Sequence, residues 1–121
     1  MQDHAVWVWE RYVKDAGFDK ISIVAHSAGG GCLTAIQEEF KDSFYGMVDK
    51  IAYTDSWAIS KDRLNKEQQE FMFRNAVHYI ASDEPVGTPY KSNYDDVFPH
   101  VSAGHPKHEY TTGHAFEEIL A

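Results

Sequence analysis

The sequence predicts an α/β layer fold, a three-layer sandwich around a parallel sheet, and three observations predict it. Segments with helical spacing of apolar residues alternate with short strand-like runs. The order is helix, strand, helix, strand, helix, strand, loop, strand, helix. The run "KISIVA" is β-branched and bounded by breaks, which suits a strand buried on both faces. The glycine-rich segment "HSAGGG" then joins that strand directly to a helix, the connection a βαβ layer needs. At 121 residues the chain has room for one small domain, expected to span 1–121. Its 43% hydrophobic share, with three Trp, seven Tyr and seven Phe, is enough to build a sizeable core.

Each element has its own signal. "DHAVWVWERYVKDAGF" repeats Val6, Trp9 and Val13 at helical spacing, with Asp3 placed to cap its start and Gly17 its end. "CLTAIQEEFKDSF" reads as a second amphipathic helix and "VDKIAYTD" as a second strand. "KDRLNKEQQEFMFRNA" is polar on one side and carries Leu64, Phe71 and Met72 on the other, so a third helix is expected there. "VHYIAS" is a third strand, and "HVSAG" and "TGHAFEEILA" close the chain as strand and helix. Between them "EPVGTPYKSNYDDVFP" is a long connection or a lid over a site. Trp7, Trp9 and Tyr12 are expected to pack in the core or between helices. Cys32 is expected to be buried rather than reactive.

Charge and composition exclude several function classes. A formal charge of −8 with no Lys/Arg cluster argues against direct nucleic-acid binding, which needs basic surface to displace counterions. One cysteine forbids an internal disulfide and permits a reducing compartment. No apolar run reaches membrane-spanning length, and "MQDHAVWVWERY" lacks the shape of a signal peptide, so no membrane partner is expected.

The stretch "IVAHSAGGG" carries the chemistry. A strand, then small–His–Ser–x–Gly, then a helix is the layout of a nucleophile elbow. Ser27 would sit on a strained turn, so Ala25 and Gly29, two positions either side, must be small, while His26 and Gly30 fill out the motif. The Ala28 N–H at the helix start would face a developing oxyanion. In an α/β-hydrolase the order along the chain is Ser, Asp or Glu, then His. "VSAGHPKHEYTTGHAF" offers His105, His108 and His114, of which His108 is best placed mid-loop to reach Ser27. The acid is open between Asp83 and Glu84, after the third strand, and Asp55, after the second. A metal site at His105-x-x-His108-Glu109 lacks distant ligands at recognisable spacing, so no metal or other cofactor is expected.

Taken together and in this order, "HAVWVWERYV", "IVAHSAGG", "AYTDS", "SDEP" and "VSAGHPKHE" resemble the Arb-two (Argonaute-binding protein two) domain family, over nearly the whole chain. The resemblance implies an α/β-hydrolase-like fold, of which this chain would be the C-terminal part. It supports Ser27 as nucleophile and His108 as base, favours Glu84 over Asp83 as the acid, and places Asp55 on a family motif position in a catalytic or structural role. It implies partners in small-RNA silencing, chromatin or splicing complexes, some members being scaffolds rather than enzymes, and a nuclear or cytoplasmic location. With few strands ahead of Ser27, the oxyanion hole is expected to be half built and a sheet edge exposed. Two functions follow: a serine hydrolase acting on an ester or amide, or a non-catalytic protein-interaction module.

Overall fold

A computed structural model describes residues 1–90 and 97–121; the middle of the Pro- and Tyr-rich connection lies outside the described residues. The first helix, α1 (Gln2–Val8), runs straight into a π-helical turn at Trp9–Val13. Asp3 lies inside its first turn rather than at the cap, which is Met1. Trp9 is buried and its indole N–H donates to Ser43 Oγ at 3.0 Å. Trp7 and Tyr12 are not core residues: both are about half exposed, packing edge to face on each other with the Arg11 guanidinium nearby. Cys32 is half-buried.

Strand β1 (Ile21–His26) leads to α2 (Gly29–Glu39). The single helix expected through "CLTAIQEEFKDSF" breaks at Phe40, whose φ of −122° and ψ of 54° are not helical, and α3 (Lys41–Met47) follows. After β2 (Val48–Thr54) comes a 3-10 turn at Lys61–Arg63, so the third expected helix begins later than its pattern suggests, as α4 (Lys66–Asn75). Its start is set by a capping box. The Asn65 side chain accepts the Gln68 N–H at 2.8 Å, while Gln68 Oε1 accepts the Asn65 N–H at 2.9 Å. Strands β3 (Ala76–Ile80) and β4 (His100–Ser102), a 3-10 turn at His108–Tyr110, and α5 (Thr111–Leu120) complete the described elements.

The four strands form one all-parallel sheet in the order β1-β2-β3-β4. Alternation along β2 assigns its residues to two cores. Ile51 and Tyr53 join Trp9, Leu33, Phe44 and Met72 on one face. Ala52 joins Tyr79, Ala103 and Ala115 on the other, beneath α5. The protein is therefore an α/β three-layer sandwich, and among the described residues α5 is the helix on its second face, over β2 and β3. Among the described residues no helix is long and apolar enough to cross a membrane.

The two sheet edges differ. The β4 edge is covered by the chain before it: Pro89 bridges Val101, and the Tyr90 and Ser102 amides bond to the His100 and Thr88 carbonyls at 2.9 and 2.8 Å. The outer edge of β1 has no strand partner among the described residues.

Candidate functional site

The C-terminal ends of β1 and β2 carry two turns that shape the site, where ligands of open α/β sheets bind. Ser27 follows β1 with φ of 55° and Asp55 follows β2 with φ of 43°, the two non-glycine residues with left-handed backbones among those described. Such a conformation costs an L-residue free energy and persists only where the surroundings enforce it. Each turn is tied to the next strand: the Ser27 N–H reaches the Thr54 carbonyl at 3.3 Å, and the Asp55 N–H reaches that of Tyr79 at 2.8 Å.

The residues flanking Ser27 meet the size limit in different ways. A Cβ on Gly29 would lie 3.9 Å from that of Ala25, an ordinary contact. Gly30 has no such freedom, since a Cβ there would fall 1.6 Å from the Trp57 carbonyl oxygen. Ala28 is the N-cap of α2, so its amide and that of Gly29 stand at the positive end of the helix. Ser56, which ends "AYTDS" but was given no role there, fastens this turn. Its Oγ lies 2.6 Å from the Ser27 carbonyl oxygen and 3.0 Å from that of Trp57, and accepts the Gly30 N–H at 3.1 Å. The Ser56 N–H in turn donates to His78 Nε2 at 3.1 Å.

His108 opens the 3-10 turn before α5, and its Nδ1 meets Asp55 Oδ2 at 2.5 Å. Donation from Nδ1 to the carboxylate leaves Nε2 able to take a proton. The pair is partly open to solvent, with His108 45% and Asp55 32% exposed. The His108 ring also lies against that of His26, centroids 4.4 Å apart and planes tilted by 32°. His26 Nδ1 lies 2.9 Å from the Thr54 carbonyl oxygen, which can only accept, so that nitrogen carries the proton. Thr54 Oγ1 joins Thr112 Oγ1 at 2.6 Å, linking β2 to α5 behind the histidines. No hydrogen bond joins His108 to Ser27 Oγ; among the described residues its side chain bonds to Asp55 and lies ring to ring with His26.

Asp83 and Glu84 stand apart from this group. Both are exposed, and Glu84 is held through its backbone, its N–H on Ser82 Oγ at 3.1 Å and its carbonyl accepting from Ser102 Oγ at 2.7 Å. The carboxylate that the fold brings to His108 is that of Asp55. His105 lies against His114, ring centroids 4.6 Å apart and planes tilted by 46°, and its Nδ1 accepts the Lys107 N–H. Among the described residues no group of three His, Cys, Asp or Glu side chains could hold a metal ion, so His105, His108 and Glu109 do not form such a centre.

Comparison with known proteins adds a relationship to this geometry. The family model of the Arb2 domain matches residues 1–86. The cotranscriptional regulator ARB2A of Mus musculus is 31% identical over 120 residues, covering 98% of this chain and 28% of that protein. The Homo sapiens protein of the same name is 30% identical over 98% of this chain and 29% of its own length. The Xenopus tropicalis ARB2A homolog is 31% identical over 98% and 28%. The chain thus spans less than a third of the length of these curated relatives. No solved structure matches it.

Proposed function

The chain belongs to the Arb2 domain family, and on that premise we propose that it is a non-catalytic protein-interaction module acting with chromatin, silencing or splicing proteins in the nucleus or cytoplasm. The observation that carries this reading is at the site itself. His108 is engaged by Asp55 and His26 and makes no bond to Ser27, while the relatives that cover the chain are named as cotranscriptional regulators. The strained turns then serve as rigid architecture for a surface, and the charge of −8 favours protein rather than nucleic-acid partners. The test is affinity capture with wild type and Ser27→Ala, with the recovered proteins identified by mass spectrometry. The reading expects the same transcription- or chromatin-associated proteins in both. Their loss from Ser27→Ala, with circular dichroism unchanged, would overturn it.

A second reading is favoured by the Asp55–His108 contact of 2.5 Å beside a serine at φ 55°. In it the domain is a serine hydrolase acting on an ester or amide. A swing of His108 Nε2 to Ser27 Oγ lets the histidine take the serine proton as Oγ attacks the carbonyl carbon and return it to the departing alcohol or amine, after which water, deprotonated by the same histidine, cleaves the acyl–Oγ bond and frees the acid. Asp55 orients the imidazole, and the Ala28 amide with the α2 N-terminus faces the oxyanion. This chemistry calls on no metal or organic cofactor. Fluorophosphonate labelling that vanishes in Ser27→Ala is the expected result; labelling that survives the substitution, or none in the folded wild type, counts against it.

A further inference from the structure

We propose that the outer face of α4 and the groove beside it dock an acidic segment of a partner protein, one that carries a bulky apolar side chain. The inference rests on the interaction-module reading and says where that module takes hold. The groove lies between α4, which packs over β2 and β3, and the chain that leads into β4. Helical spacing builds its wall. In "EFMFRN", Met72 is fully buried and Phe71 packs against the main core, which turns Phe73 outward, 65% exposed. Lys66, Gln69 and Glu70, seven, four and three residues earlier, share that outer stripe.

The groove holds about 560 Å³, and its described lining sets Phe73 and Val97 among Lys61, Lys66, Arg74, Gln69 and Glu70. Three cations there face one carboxylate, in a chain whose acidic residues outnumber Lys and Arg by 19 to 11. Lys66 and Arg74 take part in no ion pair among the described residues. Arg63, by contrast, pairs with Glu38, and Arg11 lies against Trp7 and Tyr12. Lys61 and Val97 also line a second cavity of about 480 Å³, where Trp57 is 71% exposed. Its described walls mix Ile59 and Phe98 with Ser60, His78 and His100, and include no carboxylate. The shared residues join the two cavities into one track, with an exposed aromatic ring at each end.

Charge and shape select the occupant. A nucleic-acid backbone needs a run of basic residues to displace its counterions, and three cations on a chain of −8 do not supply one. They do match a short run of carboxylates. Such a segment can set its charges on Lys66 and Arg74 at the rim while an aromatic or aliphatic side chain covers Phe73 and Val97. The rim then steers the encounter and the apolar contact holds it. A basic segment would meet like charge at three positions, which excludes it.

The experiment is selection of a random peptide library displayed on phage against the 121-residue chain, with fluorescence anisotropy of the enriched peptides. The expected sequences are rich in Asp and Glu around an aromatic or aliphatic residue, and their affinity falls as salt rises. Lys66→Glu, Arg74→Glu and Phe73→Ser, all at exposed positions, should each weaken binding by about tenfold or more with circular dichroism unchanged. Lys14→Glu, beside Phe40 and outside the groove, should leave it unchanged. Enriched peptides that are neutral or basic overturn the proposal. So do acidic peptides whose binding survives all three groove variants, and so does a selection that yields no groove-dependent binder. Affinity capture separates this from the reading beneath it. Transcription- or chromatin-associated proteins recovered equally by wild type and the folded groove variants sink the groove alone, whereas recovery of none by wild type sinks both.

Discussion

The turns after β1 and β2 occupy equivalent places one strand apart, since His26 pairs with Thr54, and yet they are built in opposite ways. The first, "AHSAGG", surrounds its left-handed residue with small side chains. The second, "YTDSWA", has no glycine and holds Asp55 at φ 43° through its N–H on Tyr79 and its carboxylate on His108. The second also reaches into the first. Ser56 Oγ binds the Ser27 carbonyl and the Gly30 amide, and the Trp57 carbonyl occupies the space a side chain at position 30 would need. The elbow is therefore not a self-contained motif, because its shape depends on the neighbouring turn.

The largest expected effect comes from breaking that dependence. In Gly30→Ala the new methyl meets backbone, which has no rotamer to yield, so we expect a loss of about 3 kcal/mol or more and a fall in Tm of roughly 10 °C. Gly29→Ala, one residue earlier, meets only an ordinary contact and should change stability by less than about 1 kcal/mol. Equal Tm values for the two variants would mean that the turns do not share one packing. Ser56→Ala comes next. It leaves the Ser27 carbonyl with only the longer bond from the Gly30 N–H at 3.3 Å, removes the hydroxyl that links the two turns, and costs about 1–3 kcal/mol in chemical denaturation. Asp55 separates conformation from charge. Asn tolerates the left-handed region, so Asp55→Asn should keep the fold and loosen His108, whereas Asp55→Ala adds about 1–2 kcal/mol of backbone strain. Identical stability of the two would remove strain from the account of this turn.

The same contrast explains what the sequence made legible. Strand-to-helix alternation and the serine on its glycine-rich turn depend on residues adjacent in the chain, and periodicity reports those directly. Helix ends were less readable: Phe40 is apolar and fits the helical pattern even though its backbone leaves it, and Asn65 competes as a cap with the apolar Leu64 before it. The spacing left the acid open among Asp55, Asp83 and Glu84 and the resemblance favoured Glu84 over Asp83, whereas the carboxylate at His108 is that of Asp55. The choice depends on where a loop 53 positions away sets His108 down. Ser56 ends the motif "AYTDS" but was given no role there, since its function appears only when the fold lays it against Ser27. Trp7 and Tyr12 were expected in the core or between helices because aromatics bury large area, and both lie about half exposed.

Tyr53, two residues before Asp55 on β2, gives the smallest effect at neutral pH and a larger one of the same sign at high pH. Its ring is fully buried and stacked on Phe98 at 5.3 Å, and among the described residues its hydroxyl has no hydrogen-bond partner. Removing an unsatisfied hydroxyl restores no lost bond, so Tyr53→Phe should be neutral or stabilise by up to ~1 kcal/mol near pH 7. Burial, with the nearby Tyr45 adding to it, holds the Tyr53 phenol well above its usual value of 10. The folded state therefore keeps the proton after the unfolded chain has released it. The associated stability is fully present below about pH 10 and is lost as pH rises past the unfolded value. Wild type should lose stability more steeply than Tyr53→Phe on going from pH 9 to pH 11 in urea titrations. Parallel curves would mean that the phenol ionises in the folded protein as easily as in the unfolded chain. The base of the β2 turn would then be wet, and Asp55 would owe its conformation to His108 and Tyr79 alone.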